Sequence, residues 1–201
     1  DADNDGWMDL YLVQADHASG NVLLRNTGDG RFEDVTAGSG ASDHGWGMGV
    51  ATGDIDGDGD IDLYITNLGA DTLLRNDGDM QFTDITMQSG LGDEGLGASV
   101  SFFDGDVDGD LDLLVTRYVA WTPELELECR SRTGLLDYCA PKHYAAPTTD
   151  VLYRNDGGKF VDVTQDAGLG GSLGNGLGVL AQDFTGDGLV DLFVANDGNA
   201  D

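Results

Sequence analysis

The chain has 201 residues, enough for one or two domains with a real core, and its 38 acidic against 9 basic side chains give a formal charge of −29. That balance argues against nucleic acid as a partner, which selects for Lys and Arg, and no stretch approaches the roughly 18 consecutive apolar residues of a membrane helix. Apolar residues make up 40% of the chain and recur in ordered runs, which fits badly with an acidic disordered chain.

Glycine is frequent, at 32 residues, and proline is scarce, at 3. With short apolar runs and many turn signals, this composition points to an all-β protein. Residues 1–9 read Asp1-Ala-Asp-Asn-Asp-Gly-Trp-Met-Asp9 and lead into the apolar run Leu10-Tyr-Leu-Val. The next segment, Leu23-Leu-Arg-Asn-Thr-Gly-Asp-Gly-Arg-Phe-Glu-Asp-Val-Thr36, has two extended runs around an Asn/Gly turn and predicts a β-hairpin. Gly45-Trp-Gly-Met-Gly-Val-Ala51 predicts a strand approached closely by another backbone.

The same three elements then return. The acidic loop recurs as Asp54-Ile-Asp-Gly-Asp-Gly-Asp-Ile-Asp62, as Asp104-Gly-Asp-Val-Asp-Gly-Asp-Leu-Asp112 and as Asp183-Phe-Thr-Gly-Asp-Gly-Leu-Val-Asp191. The hairpin recurs over 73–86 and 152–164, and the Gly-rich strand over 95–101 and 174–181. Four strands in a period of about fifty residues match one β-propeller blade. The fold expected is therefore all-β, in blades of four antiparallel strands: a partial blade over 1–43, a blade over 44–94, a blade over 95–173 with an insertion at 117–149, and a partial blade over 174–201. The apolar runs after the acidic loops do not alternate, which suits strands buried on both faces. Two complete and two partial blades imply a segment of a larger closed propeller.

The spacing Asp-x-Asp-x-Asp-Gly-x-x-Asp is a metal loop in chemical terms. Alternate carboxylates in a tight turn converge on one point, and calcium takes six to eight oxygens. Glycine at position six (Gly6, Gly59, Gly109, Gly188) permits the sharp turn. Position seven varies as Trp7, Asp60, Asp110 and Leu189, as expected where only a backbone carbonyl binds. Position twelve is Leu12, Ile65, Val115 or Val194 rather than the Glu of an EF-hand, so Asp at position nine is expected to close each site from the start of a strand. The loops hold 17 of the 38 acidic residues, and about four calcium ions are expected. Thr185 replaces an acid in the fourth loop, which weakens it.

These loops, combined with Leu-Leu-Arg-Asn-x-Gly-Asp-Gly-x-Phe-x-Asp-Val-Thr, resemble the FG-GAP/VCBS repeat. They resemble in particular the repeats that accompany ASPIC/UnbV domains and those of cartilage acidic protein, and integrin α-subunit propellers carry a similar calcium loop. The resemblance implies a calcium-stabilised propeller, secreted or on the cell surface, serving adhesion, protein interaction or self-association. By position it implies the ligand sets Asp1, Asp3, Asp5, Asp9; Asp54, Asp56, Asp58, Asp62; Asp104, Asp106, Asp108, Asp112; and Asp183, Thr185, Asp187, Asp191.

The insertion at 117–149 holds both cysteines, all three prolines, Trp121, and Arg117, Arg130, Arg132 and Lys142. A long loop on a rigid scaffold is a common recognition element. A Cys129–Cys139 disulfide would staple it and indicate an oxidising compartment, with two free thiols as the alternative. His17, His44 and His143 accompany no nucleophile motif and read as surface residues, so no catalytic residues are expected. Arg25, Arg75 and Arg154 recur once per blade and read as partners of neighbouring acids. The alternative function is a glycan-binding propeller or an accessory domain of a polysaccharide-active enzyme, but Trp7, Trp46 and Trp121 do not recur once per blade as a lectin would want.

Overall fold

The structure, a computed structural model, describes residues 1–16, 18–92, 94–171 and 173–197. His17 and the last four residues of the fourth repeat unit lie outside the described residues. Strands β1 (Leu10–Leu12), β2 (Val22–Asn26) and β3 (Phe32–Asp34) form the first antiparallel sheet. The second blade takes β4 (Trp46–Gly53), β5 (Asp62–Ala70), β6 (Thr72–Asn76) and β7 (Phe82–Asp84), each paired antiparallel with the next.

The third blade begins with β8 (Glu94–Phe103) and β9 (Asp112–Arg117). The insertion follows as β10 (Cys129–Arg130), β11 (Leu136–Asp137), the single-turn helix α1 (Pro141–Tyr144) and β12 (Thr148–Thr149). Then β13 (Val151–Asn155) pairs with β9, and β14 (Phe160–Asp162) closes the blade. A short β15 (Leu173–Gly174) pairs with β12, and β16 (Gly176–Gln182) with β17 (Asp191–Asn196) forms the sheet of the fourth unit. The ends of β5 and β8 also pair, at Leu68 with Leu96 and Ala70 with Glu94, which joins the second and third blades. The sheets curl into a half-barrel of propeller-like blades.

The core lies between blades. Side chains alternate across a strand, so Leu63, Ile65 and Leu74 of the second blade pack toward the first, with Leu23 and Ala41. Tyr64 and Leu73 pack toward the third, with Leu113, Val115 and Tyr153. Both faces of β5 and β9 are thus covered, and Asp62–Thr66 and Asp112–Thr116 are buried throughout. Each fully buried Leu, Ile or Val contributes about 1.5–3 kcal/mol relative to exposure. In β1 and β17 the same apolar run has one open face, with Leu10, Leu12 and Phe193 exposed.

Each hairpin repeats the same turn chemistry. Asp34, Asp84 and Asp162 accept from the backbone N–H of Thr36, Thr86 and Thr164. Those threonine hydroxyls in turn accept from the N–H of Leu23, Leu73 and Leu152. The Asp-x-Thr motif therefore locks the end of each blade's outer strand to its third strand.

Candidate metal loops

Each acidic loop is a tight turn organised by its own first carboxylate. Asp1 accepts from the N–H of Asp5 and Gly6, Asp54 from Gly57, Asp58 and Gly59, and Asp183 from Gly186, Asp187 and Gly188. Asp104 accepts from Gly109 at 3.2 Å. Gly6, Gly59, Gly109 and Gly188 have φ of +92°, +95°, +98° and +88°, a region that side chains disfavour. Position six is glycine for that reason.

The turn brings positions one, three and five together. Asp1, Asp3 and Asp5 place carboxylate oxygens within 4.8 Å of one another, as do Asp54, Asp56 and Asp58, and Asp104, Asp106 and Asp108. In the fourth loop the Thr185 hydroxyl donates to Asp183 at 3.4 Å, beside Asp187. One oxygen of Asp104 is buried and receives no hydrogen bond. Converging carboxylate oxygens, with a buried one lacking a donor, are the environment a hard cation with oxygen ligands fits.

Position nine is placed differently. Asp9, Asp62, Asp112 and Asp191 each accept from the backbone N–H of position two, in Ala2, Ile55, Gly105 and Phe184. Asp9, Asp62 and Asp112 give their second oxygen to the N–H of Asn26, Asn76 and Asn155 on the third strand. Position nine therefore ties loop to blade, and the oxygens within 4.8 Å come from positions one, three and five. At position seven, Asp60 accepts from Asn4 and Asp110 from Gly157, while Trp7 and Leu189 are exposed.

Burial works against ionisation here. It pushes the Asp62 carboxyl up to about 6, against the pull of the Ile55 and Asn76 amides. Burial also raises Asp112, and raises Asp56 with help from Asp58. Asp183 is lowered, chiefly by the Gly188 amide. A cation among these groups would favour their charged forms.

The recurring arginines pair locally, Arg25 with Glu33 at 2.7 Å, Arg75 with Asp77 at 2.6 Å and Arg154 with Asp156 at 2.7 Å. In the insertion, Cys129 and Cys139 form a disulfide, and His143 lies exposed with Nδ1 3.7 Å from Cys129 Sγ. Exposed Leu135, Leu136 and Tyr138 crown the stapled hairpin. Arg117 departs from the expectation that grouped it with that loop. It ends β9, is buried, and pairs with buried Asp71 of the second blade at 3.0 Å.

Sequence reasoning missed two sets of residues. One is Asn21, Asp71 and Asp150, which accept from the N–H of Gln14, Asn67 and Arg117 and close the turn into each third strand. The other is Asn26, Asn76 and Asn155, whose fixed place in the Leu-x-Arg-Asn motif was the available signal.

No curated protein is similar enough to this chain to match it. The FG-GAP-like repeat matches twice, over residues 1–65 and 54–115, which together span more than half of the chain. Each match runs from one acidic loop, through a hairpin and a Gly-rich strand, to the strand after the next loop, and the chain belongs to the FG-GAP-like repeat family.

Proposed function

We propose that this chain is a calcium-binding, non-enzymatic propeller scaffold that acts outside the cell in adhesion, protein interaction or self-association. The observation that carries this reading is the convergence of three carboxylates in each of three loops, one with a buried oxygen that no donor meets. Asp1, Asp3 and Asp5, Asp54, Asp56 and Asp58, and Asp104, Asp106 and Asp108 would hold the ion, with Asp183, Thr185 and Asp187 as a weaker fourth site. Calcium there would neutralise like charges that otherwise repel across each turn. The disulfide suits an oxidising compartment. The disulfide-stapled insertion, with Leu135, Leu136 and Tyr138 outward, offers a partner an exposed apolar surface.

Calorimetry on chelator-stripped protein, with melting curves in parallel, tests the reading. Three strong sites and one weaker, with a melting temperature that rises with calcium, are expected. At extracellular calcium and affinities of about 10⁻⁴ to 10⁻³ M, each site adds about 0.5–2 kcal/mol. Absence of binding heat together with an unmoved melting curve overturns it.

A further inference from the structure

Two of the buried asparagines reach out of their own blade. The Asn76 side-chain amide donates to the carbonyl of Ala2 at 2.9 Å, and that of Asn155 donates to the carbonyl of Ile55 at 3.1 Å. Ala2 and Ile55 are position two of the first and second metal loops, between the carboxylates at positions one and three. The donors lie 74 and 100 residues further on, in the third strand of the following blade. Both asparagines are fully buried, so each bond is shielded from water.

The side chain at position two makes the same crossing. Ala2 packs with Leu74, Met80 and Phe82 of the second blade, and Ile55 packs with Tyr153 and Phe160 of the third. The residue at position two is thus gripped from both sides. Its N–H is held by its own blade's position-nine carboxylate, and its C=O by the next blade's asparagine. The asparagine backbone N–H binds the position-nine Asp of its own blade. A continuous hydrogen-bonded path therefore runs from Ala2 through Asn76 and Asp62 to Ile55, and on through Asn155 and Asp112 to Gly105.

We infer that Asn76 and Asn155 are positioning residues for the metal site of the preceding blade, so that calcium in one loop and docking of the next blade stabilise each other. Resting on the calcium reading, the inference assigns each site's second support to a different blade from the one that supplies its carboxylates. An empty loop, loosened by repulsion among its carboxylates, holds the asparagine poorly, and a filled loop presents its carbonyl in place. Reciprocity requires that removing the asparagine weakens the metal.

Trp7 makes the first site separately readable, because it occupies position seven of that loop while Trp46 and Trp121 lie outside the loops. Terbium(III), a hard cation with calcium's preference for oxygen, would be titrated into the 201-residue chain. Emission sensitised by Trp7 is then followed, and calcium displaces it. Asn76→Ala is expected to weaken the first site by about 2- to 10-fold, the range one net hydrogen bond supplies. Asn155→Ala is expected to leave that site within 2-fold while weakening the second site in calorimetry. A general loss of stability would not separate the two variants in this way.

Unchanged first-site affinity in a folded Asn76→Ala variant, or equal loss in both variants, overturns the inference while leaving the calcium reading intact. No sensitised emission and no calcium displacement in the unaltered chain overturns the calcium reading itself. A second measurement needs no variant. Filling the first loop of the unaltered chain should slow amide exchange over residues 76–82, and unchanged exchange there counts against the inference.

Discussion

Arg117 shows what a single side chain does between blades. Its guanidinium meets Asp71 in a buried site, where Asp71 also accepts from the Asn67 N–H and the Tyr64 hydroxyl. Burial pushes the Asp71 carboxyl up, and Arg117 is the strongest influence in the other direction. Removing one partner of a buried pair strands the other, so Arg117→Leu is expected to cost about 3–5 kcal/mol in denaturant unfolding. A cost near zero would mean that the pair contributes nothing between the second and third blades. This role was not legible from sequence. The equivalent residues of the other units are Gln14, Asn67 and Asn196, so the arginine looks like part of the insertion it precedes.

At the scale of the element, the Gly-rich strands are not alike. A Cβ at Gly49 would lie 2.5 Å from the Ala98 carbonyl oxygen of the next blade's inner strand. At Gly178, in the same place in the fourth unit, the nearest atom is the Ala195 Cβ at 4.0 Å. Gly49→Ala is expected to destabilise by about 1–3 kcal/mol through overpacking. Gly178→Ala is expected to change stability by less than about 1 kcal/mol, and toward greater stability, by restricting the unfolded chain. Thermal melts of the two variants check both. The sequence placed these strands correctly because glycine recurs at alternate positions, but which glycine meets a neighbour depends on whether an inner strand lies beside it. The hairpins and the strands after the acidic loops were equally legible, since their residues act through partners close in sequence or through plain alternation. The crossings made by Asn76 and Asn155 were not, because their partners lie a whole blade away.

At the scale of the molecule, charge dominates. Among its 38 acidic residues, Asp62, Asp56 and Asp112 have their carboxyls raised by burial. For Asp62 the folded value of about 6 stands above the ordinary Asp range. Its contribution to stability is therefore fully present at low pH and lost as pH rises through about 6. Chelator-treated protein should melt higher at pH 5 than at pH 7, and the reverse order would show that burial does not control these carboxylates. The amino-acid sequence by itself determined the repeat, the strand order within a blade and the spacing of the acidic loops, because each is local and recurs along the chain. Only the structure decided that position nine holds backbone amides, and that each of the first two loops is gripped by the following blade. The last of these depends on which surfaces meet when blades stack, and no period along the chain encodes that.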